Sequence, residues 1–372
     1  MTLTGREMRT HIDDEGTLTL SLQSVTPGEP GDDEVIVRVE AAPINPSDLG
    51  LLLGPADVAS LETSGDETVR FHVPEERLAS VRGRLGQSLP IGNEGAGTVI
   101  AAGRNAKALE GKTVGMIGGG MYADYRRIAA RDVAVLPEGT RAAEGAAMFV
   151  NPLTALGFVE TARMEGHSAI VHTAAASNLG QMLQKICLAD GIPLVNVVRS
   201  AEQAQILRDI GARHVVNSRD EDFTAQLTAA IHETGATIAF DAIGGGTLGS
   251  EILHAMERAA SQNASSYSRY GSDTFKQLYI YGGLDPAPTT LNRTGFGFQW
   301  SAGGWLLFPF LQKAGEETVT RMRQRVAAEL TTTFASRYTQ VIGLAEALQP
   351  DVLRRYERKA TGEKYLIDPR LG

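Results

Sequence analysis

The 372 residues suffice for two ordinary domains, and 42% hydrophobic with 21% charged residues is the balance of a globular chain with a sizeable core. A net charge of −9 argues against a broad phosphate-binding surface, and so against nucleic acid as the main partner, while leaving room for a local basic pocket around an anionic cofactor. The one cysteine, Cys187, allows no internal disulfide and no cysteine metal cluster, which fits a reducing, cytoplasmic setting.

The first residues, MTLTGREMRTHIDDEG, are charged and lack the apolar stretch of a secretory signal. No run of about 18 apolar residues predicts a membrane span. Up to about residue 140 the pattern is one of short strands punctuated by Gly and Pro. Residues 33–39 (DEVIVRV) alternate polar and apolar as a half-buried strand does, and 97–102 and 113–117 read as further strands. Residues 54–89 are polar and read as a loop-like insertion with one helix at 75–84. From about Asn151 apolar strands at 168–173, 193–198, 214–217, 237–241 and 278–281 alternate with helices such as 179–188. That alternation marks a parallel sheet covered by helices on both faces. A second insertion, 260–276, is rich in Ser, Asn and Tyr; from about Glu317 the chain returns to helix and then to a short strand at 364–367.

The strongest local signal is the strand AIVHT from Ala169, running into AAASNLG and then a helix. A dinucleotide fold needs small residues in this first turn, because backbone amides must approach a pyrophosphate held at the helix N-terminus. Ala174, Ala175, Ser177, Asn178 and Leu179 form the turn, and of the usual glycines only Gly180 is present. Taken alone this is also what an ordinary strand–turn–helix looks like. The next strand ends in Arg199-Ser200, 19 residues after Gly180. A carboxylate there would accept from ribose hydroxyls and repel a 2′-phosphate, whereas an Arg pairs with the phosphate, so NADPH is expected over NADH. The plain alternative is a solvated charge at a strand end. Asn217, Gly244, Gly282 and Gly283 lie at later carboxyl ends of the same sheet, where ligands of such folds bind, although turns alone would also use glycines.

INPSD (44–48), PIGNEGAGTVIAAG (90–103), YADY (122–125), LPEGT (136–140) and NPLTA (151–155) stand in the order seen in zinc-free medium-chain reductases. The chain resembles the NADPH:quinone oxidoreductases and 2-enoyl thioester reductases of that family, and NVVR at 196–199 is especially similar to the enoyl reductases. The resemblance implies an α/β protein with a GroES-like β-rich catalytic domain (1–148 and 317–372) and a Rossmann doubly wound parallel-sheet domain (149–316), with NADPH held between them. It implies that Asn45 and Asp48 line the catalytic cleft and that Thr154 contacts the nicotinamide end. Asn45 beside Pro46 is also a good turn residue, and Glu94 could simply pair with a buried cation. Zinc alcohol dehydrogenases carry Cys near Asn45 and Gly-His-Glu where Gly92-Asn93-Glu94 stands, so no zinc is expected.

The activity implied is zinc-independent hydride transfer from NADPH to a quinone or an α,β-unsaturated carbonyl. Two alternatives stand beside it. One is 2-enoyl thioester reduction, for which Arg70, Arg82 and Arg84 could guide the carrier's phosphates. Against it, the proton-donating Tyr that such reductases carry after N-P-x-D has no counterpart in LGLLLGPADVAS, and Tyr122 and Tyr125 fall where the family packs its domain. The other alternative is an NADPH-binding sensor or structural protein with little catalysis. The apolar stretch 296–310, with Trp300 and Trp305, is expected near the Rossmann sheet edge as a homodimer surface or, alternatively, as covered cleft wall.

Overall fold

The computed structural model describes residues 3–262 and 268–372, so part of the second insertion lies outside the described residues. By its contacts the chain divides into one unit made of 1–150 with 326–372 and another of 151–325.

The alternating strands of the first unit form antiparallel layers around one core. Its elements begin β1 (Gly5–Ile12), β2 (Thr17–Val25), β3 (Glu34–Pro43), α1 (Pro46–Leu52), β4 (Asp57–Thr63), β5 (Thr68–His72) and α2 (Glu75–Leu78). They continue β6 (Leu89–Pro90), β7 (Glu94–Ala102), β8 (Thr113–Ile117), β9 (Tyr125–Ala129), β10 (Val133–Val135) and α3 (Ala142–Gly145). The first sheet has the order β4-β5-β2-β1-β6. The expectation of a loop-like 54–89 is thus corrected: β4 and β5 extend this sheet. Only Val69 and Phe71 of β5 point inward, at 2% and 1% exposure, so the strand signal rests on two residues in a polar stretch. The helix expected over 75–84 is also broken. It is one α-turn followed by a 3-10 segment, Ala79–Arg84, with Val81 out of helical geometry.

The central strands of the second unit are buried on both faces. It comprises α4 (Val150–Met164), β11 (Ile170–His172), α5 (Asn178–Asp190), β12 (Leu194–Val198), α6 (Ala201–Asp209), β13 (His214–Asn217), α7 (Phe223–Thr234) and β14 (Ile238–Asp241). Then follow β15 (Gly244–Gly246), α8 (Leu248–Gln262), β16 (Lys276–Ile280), β17 (Asp285–Thr289), β18 (Trp300–Gly304) and α9 (Leu307–Ala328). All residues of β12 and β14 are buried, as a sheet with helices on both faces requires. The sheet order is β13-β12-β11-β14-β16-β18, every pairing parallel. Counted within the unit this is 3-2-1-4-5-6, the doubly wound order whose direction reverses between β11 and β14. The one buried polar residue of β12, Asn196, donates to Gln184 Oε1 at 2.8 Å and to His214 O at 3.2 Å.

Gly315 (φ = +79°, ψ = 163°) breaks α9 in two: the helix expected from about Glu317 is its second half, and the first half starts at Leu307 with Pro309 in its first turn, where a missing N–H is tolerated. Trp305 is covered rather than exposed. It packs on Phe158 and Phe310, and its Nε1 donates to Thr161 Oγ1 at 3.0 Å. Residues 142–164 are long and apolar enough to cross a membrane, but 78% of that window is buried inside the protein, as in a core helix. After α9 the chain returns to the first unit as β19 (Gln340–Ile342), α10 (Pro350–Glu357) and β20 (Tyr365–Ile367). There β20 pairs with β3 and β19, completing the second sheet, β10-β8-β7-β3-β20-β19 with β9 also on β3.

Candidate active site

In the first unit, Asn45, Asp48 and Glu94 come together below the surface, exposed by 1%, 2% and 0%. Pro46 starts α1, and Asn45 precedes it in extended backbone geometry, so the helix begins here by local chemistry. Asp48 Oδ2 accepts the Asn45 N–H and its Oδ1 the Asn93 N–H, both at 2.8 Å. Asn45 Nδ2 donates to Glu94 Oε1 at 2.8 Å, and Glu94 Oε2 accepts the N–H groups of Phe149 and Val150 at 2.9 Å each. Asn45 Oδ1 is buried with no hydrogen-bond partner among the described residues. This is an acceptor that the fold leaves unsatisfied inside a polar cluster, an arrangement that costs stability and often marks function.

Burial dominates the electrostatics. It pushes the Asp48 carboxyl up to about 7 against the pull of its two N–H donors, and it raises Glu94 as well. Lys364 lies in the same field. Burial lowers its ammonium to about 8, opposed by the attraction of Glu94 and Asp48. Its Nζ donates to Ser336 Oγ at 3.2 Å and sits 5.4 Å from the Tyr338 ring centre. The buried cation considered for Glu94 is therefore Lys364, acting through its field, while Glu94's hydrogen bonds come from Asn45 and the start of α4. Tyr122 is no free acid: it is fully buried, and its hydroxyl donates to Pro43 O at 3.1 Å.

The Asp48 shift has a measurable consequence. Native Asp48 keeps its proton up to about pH 7, while the unfolded group releases it near 3.8. The stabilisation is complete below the unfolded value and is lost as pH rises through about 7. Buried His172, lowered by burial to about 3, acts in the opposite sense below its ordinary value of 6.5. The stability of the wild type minus that of Asp48→Asn therefore falls between pH 5 and pH 8 in denaturant titrations. A difference flat across that range would show an ordinary Asp48.

In the second unit the predicted cofactor residues share the carboxyl edge of the parallel sheet. Ala174 takes φ = +49°, turning the chain after β11, and Ser177 caps α5 by accepting the Gly180 N–H at 3.1 Å. A Cβ on Gly180 would lie 2.1 Å from Ala175 O, so glycine lets α5 start directly against the turn. Ala175 and Leu179 are buried and offer only backbone to a ligand, while Ser177 and Asn178 are half-buried. Arg199 is exposed at the end of β12, its N–H held by Gln203 Oε1 at 3.0 Å, and no carboxylate stands within ion-pair distance among the described residues. Ser200 caps α6 by accepting the Gln203 N–H at 3.3 Å. Asn217 turns onto its own loop, donating to Asp220 Oδ1 at 2.6 Å. Thr154 is buried on α4.

Gly244 and Gly282 serve each other. Gly244 has φ = +78°, and a Cβ on it would lie 2.6 Å from Gly282 O, while one on Gly282 would lie 2.5 Å from Ala242 O. Gly283 is exposed with open space beside it. A fixture at this edge was missed in the sequence. Thr173 Oγ1 donates to Asp241 Oδ1 at 2.6 Å and accepts the Ala242 N–H at 2.8 Å, while Asp241 Oδ2 accepts the Gly244 N–H at 3.1 Å. These bonds tie β11 to β14 where the strand order reverses. Asp241 at the head of DAIGGG was the available signal.

The fold is that of a dinucleotide-fold protein with a β-rich companion unit. A family model described as zinc-binding dehydrogenase matches residues 179–261, which include none of Asn45, Asn93 or Glu94. A mitochondrial enoyl-[acyl-carrier-protein] reductase from Xenopus tropicalis is 31% identical over 208 residues, 53% of this chain and 51% of that protein. The match thus spans about half of that curated relative. A solved structure described as an NADPH:quinone reductase from Mesorhizobium loti is 27% identical, with a TM-score of 0.74 over 99% of this chain and 100% of that one. The quinone oxidoreductase of Escherichia coli, solved with NADPH, shares the fold at 20% identity and a TM-score of 0.69, over 99% and 100% of the two chains. These likenesses are to medium-chain dehydrogenases and reductases, and the chain shares their fold of a GroES-like unit and a Rossmann-like parallel-sheet unit.

Proposed function

We propose that the protein is an NADPH-dependent oxidoreductase that reduces a quinone or an α,β-unsaturated carbonyl without zinc. The observation that carries this reading is Arg199, a guanidinium with no carboxylate in ion-pair range among the described residues, at the end of β12 in the unit whose small-residue turn opens a helix. That turn and the N-terminus of α5 suit a pyrophosphate, and Arg199 suits a 2′-phosphate. The M. loti likeness supports the same cofactor.

Bound NADPH supplies the hydride. Asn45 Nδ2 keeps a second hydrogen beyond the one given to Glu94, and that hydrogen donates to the substrate carbonyl oxygen on which negative charge builds. Glu94 fixes the amide's orientation. Asp48, at about 7, holds a proton near neutrality beside it. The donor set supports independence from zinc: Asn45 and Asn93 offer amides, and Glu94 already accepts three N–H donors, a poor tetrahedral zinc site.

A second reading, 2-enoyl thioester reduction, draws on the enoyl reductase relative. It lacks a Tyr, Ser or Thr in 49–59, and of its three phosphate-guiding arginines Arg84 is already engaged by backbone carbonyls. A reducing, cytoplasmic setting suits Cys187, whose thiol burial pushes up to about 12. A homodimer across the β18 edge is part of the proposal. Phe298, Leu306 and Phe308 flank that edge strand at 66%, 66% and 61% exposure. Light scattering at micromolar concentration is expected to give twice the chain mass, and a monomer mass would remove the dimer.

Cofactor choice is tested by fluorescence titration. NADPH is expected to bind at least about tenfold tighter than NADH, as one charge-assisted phosphate contact provides. Equal affinities would contradict the assignment.

A further inference from the structure

Helix α1 is short, and its sequence, PSDLGLL followed by LGP, ends it early: Gly50 weakens the last turn and Gly54-Pro55 stops it. The final carbonyls of such a helix have no partners within it. Here they are met from the insertion. Arg84 Nη2 donates to Leu51 O at 3.0 Å and to Thr10 Oγ1 at 3.0 Å, and its Nη1 reaches Gly50 O at 3.4 Å. Arg77 Nη1 donates to Pro55 O at 3.3 Å, just past the helix. Gly54 takes φ = +52°, and a Cβ there would lie 2.9 Å from Arg84 Nη1, so the backbone leaves room for the guanidinium. Arg84 is half-buried, and among the described residues no carboxylate lies within ion-pair distance of it. A cation taken partly out of water with only carbonyls and one hydroxyl for company is held by the negative end of the helix.

We propose that Arg84 is a positioning residue for the reaction: it clamps the carboxyl end of α1 and thereby fixes Asn45 and Asp48 at the opposite end. The proposal rests on the reading that places Asn45 at the substrate carbonyl. The insertion 54–89 is then a buttress of the catalytic helix. A helix of seven residues is about 10 Å long. Freeing one end lets the other pivot, and a displacement of about 1 Å at a reacting group costs up to about 100-fold in rate.

Three variants test this, with Glu76→Ala as the control because Glu76 is exposed on the same segment. Arg84→Ala is expected to lower kcat by about 10- to 100-fold with the KM for NADPH unchanged. In the same protein, hydrogen exchange at the Leu53 and Gly54 amides, which both bond to Leu49 O, is expected to speed up at least about tenfold while that of β7 and β8 stays constant. Arg84→Lys, which keeps the charge and one or two donors, is expected to recover part of both losses, and it carries the test if the alanine variant does not fold. Wild-type kcat in Arg84→Ala would overturn the proposal, as would a fall in kcat with unchanged exchange at Leu53 and Gly54. If the wild type turns over no acceptor at all, the functional reading fails by itself, and the exchange data still decide whether Arg84 clamps α1.

Discussion

Asn45→Ala is expected to lower kcat by about 100- to 1000-fold, the usual loss when one donor to a developing oxyanion is removed. The Kd for NADPH should stay within about twofold of the wild type, since a contact made only to the reacting oxygen does not hold the cofactor. The variant also strips a donor from Glu94 Oε1, a fully buried carboxylate oxygen, so thermal stability falls as well. Leaving such a group unpaired costs about 1–3 kcal/mol. Kinetics are therefore compared well below the melting transition, with NADPH binding measured on the same sample. A kcat within about threefold of the wild type would reduce Asn45 to the turn residue its place before Pro46 also suggests.

Arg199→Ala is expected to weaken NADPH by about 10- to 100-fold, the equivalent of about 1.5–3 kcal/mol for hydrogen bonds to a charged group, and to leave NADH unchanged. The side chain is exposed at the end of β12 and its guanidinium has no ion pair to lose among the described residues, so the fold should not register the change. The effect should shrink with added salt, because an exposed phosphate contact is screened. Parallel titrations of both nucleotides give the answer in one ratio. A ratio of affinities equal to that of the wild type would make Arg199 a solvated charge.

The parallel sheet was legible because its strands are fully buried: LVNVV and IAFD are apolar runs of strand length between helical segments, and periodicity finds them. The start of α1 carries its signal locally, in Asn45, Pro46 and Asp48, although in the sequence Asn45 beside Pro46 reads only as a turn or cleft position. The hairpin β4–β5 was hidden, because a strand such as DVASLET is polar on most positions and takes its conformation from pairing with β5, itself on β2. The tie between Thr173 and Asp241 joins residues 68 apart and has no local pattern. Lys364 was read only as the start of a strand. Its place beside Glu94 and Asp48 depends on β20 coming back to β3 across most of the chain. Asn217, expected at a ligand-binding carboxyl end of the sheet, also donates to Asp220 Oδ1 in its own turn, a local bond that the sequence pattern did not announce.

Catalysis itself is tested by stopped-flow oxidation of NADPH, followed at the nicotinamide absorbance, with a quinone, a simple enone and a 2-enoyl thioester offered separately. The account predicts fast oxidation with the quinone or the enone and a slower reaction, or none, with the thioester. Fast turnover of the thioester alone would move the assignment to the enoyl reductases, and no oxidation by any of the three, with NADPH binding confirmed, would contradict an enzyme of this kind and favour a nucleotide-binding sensor.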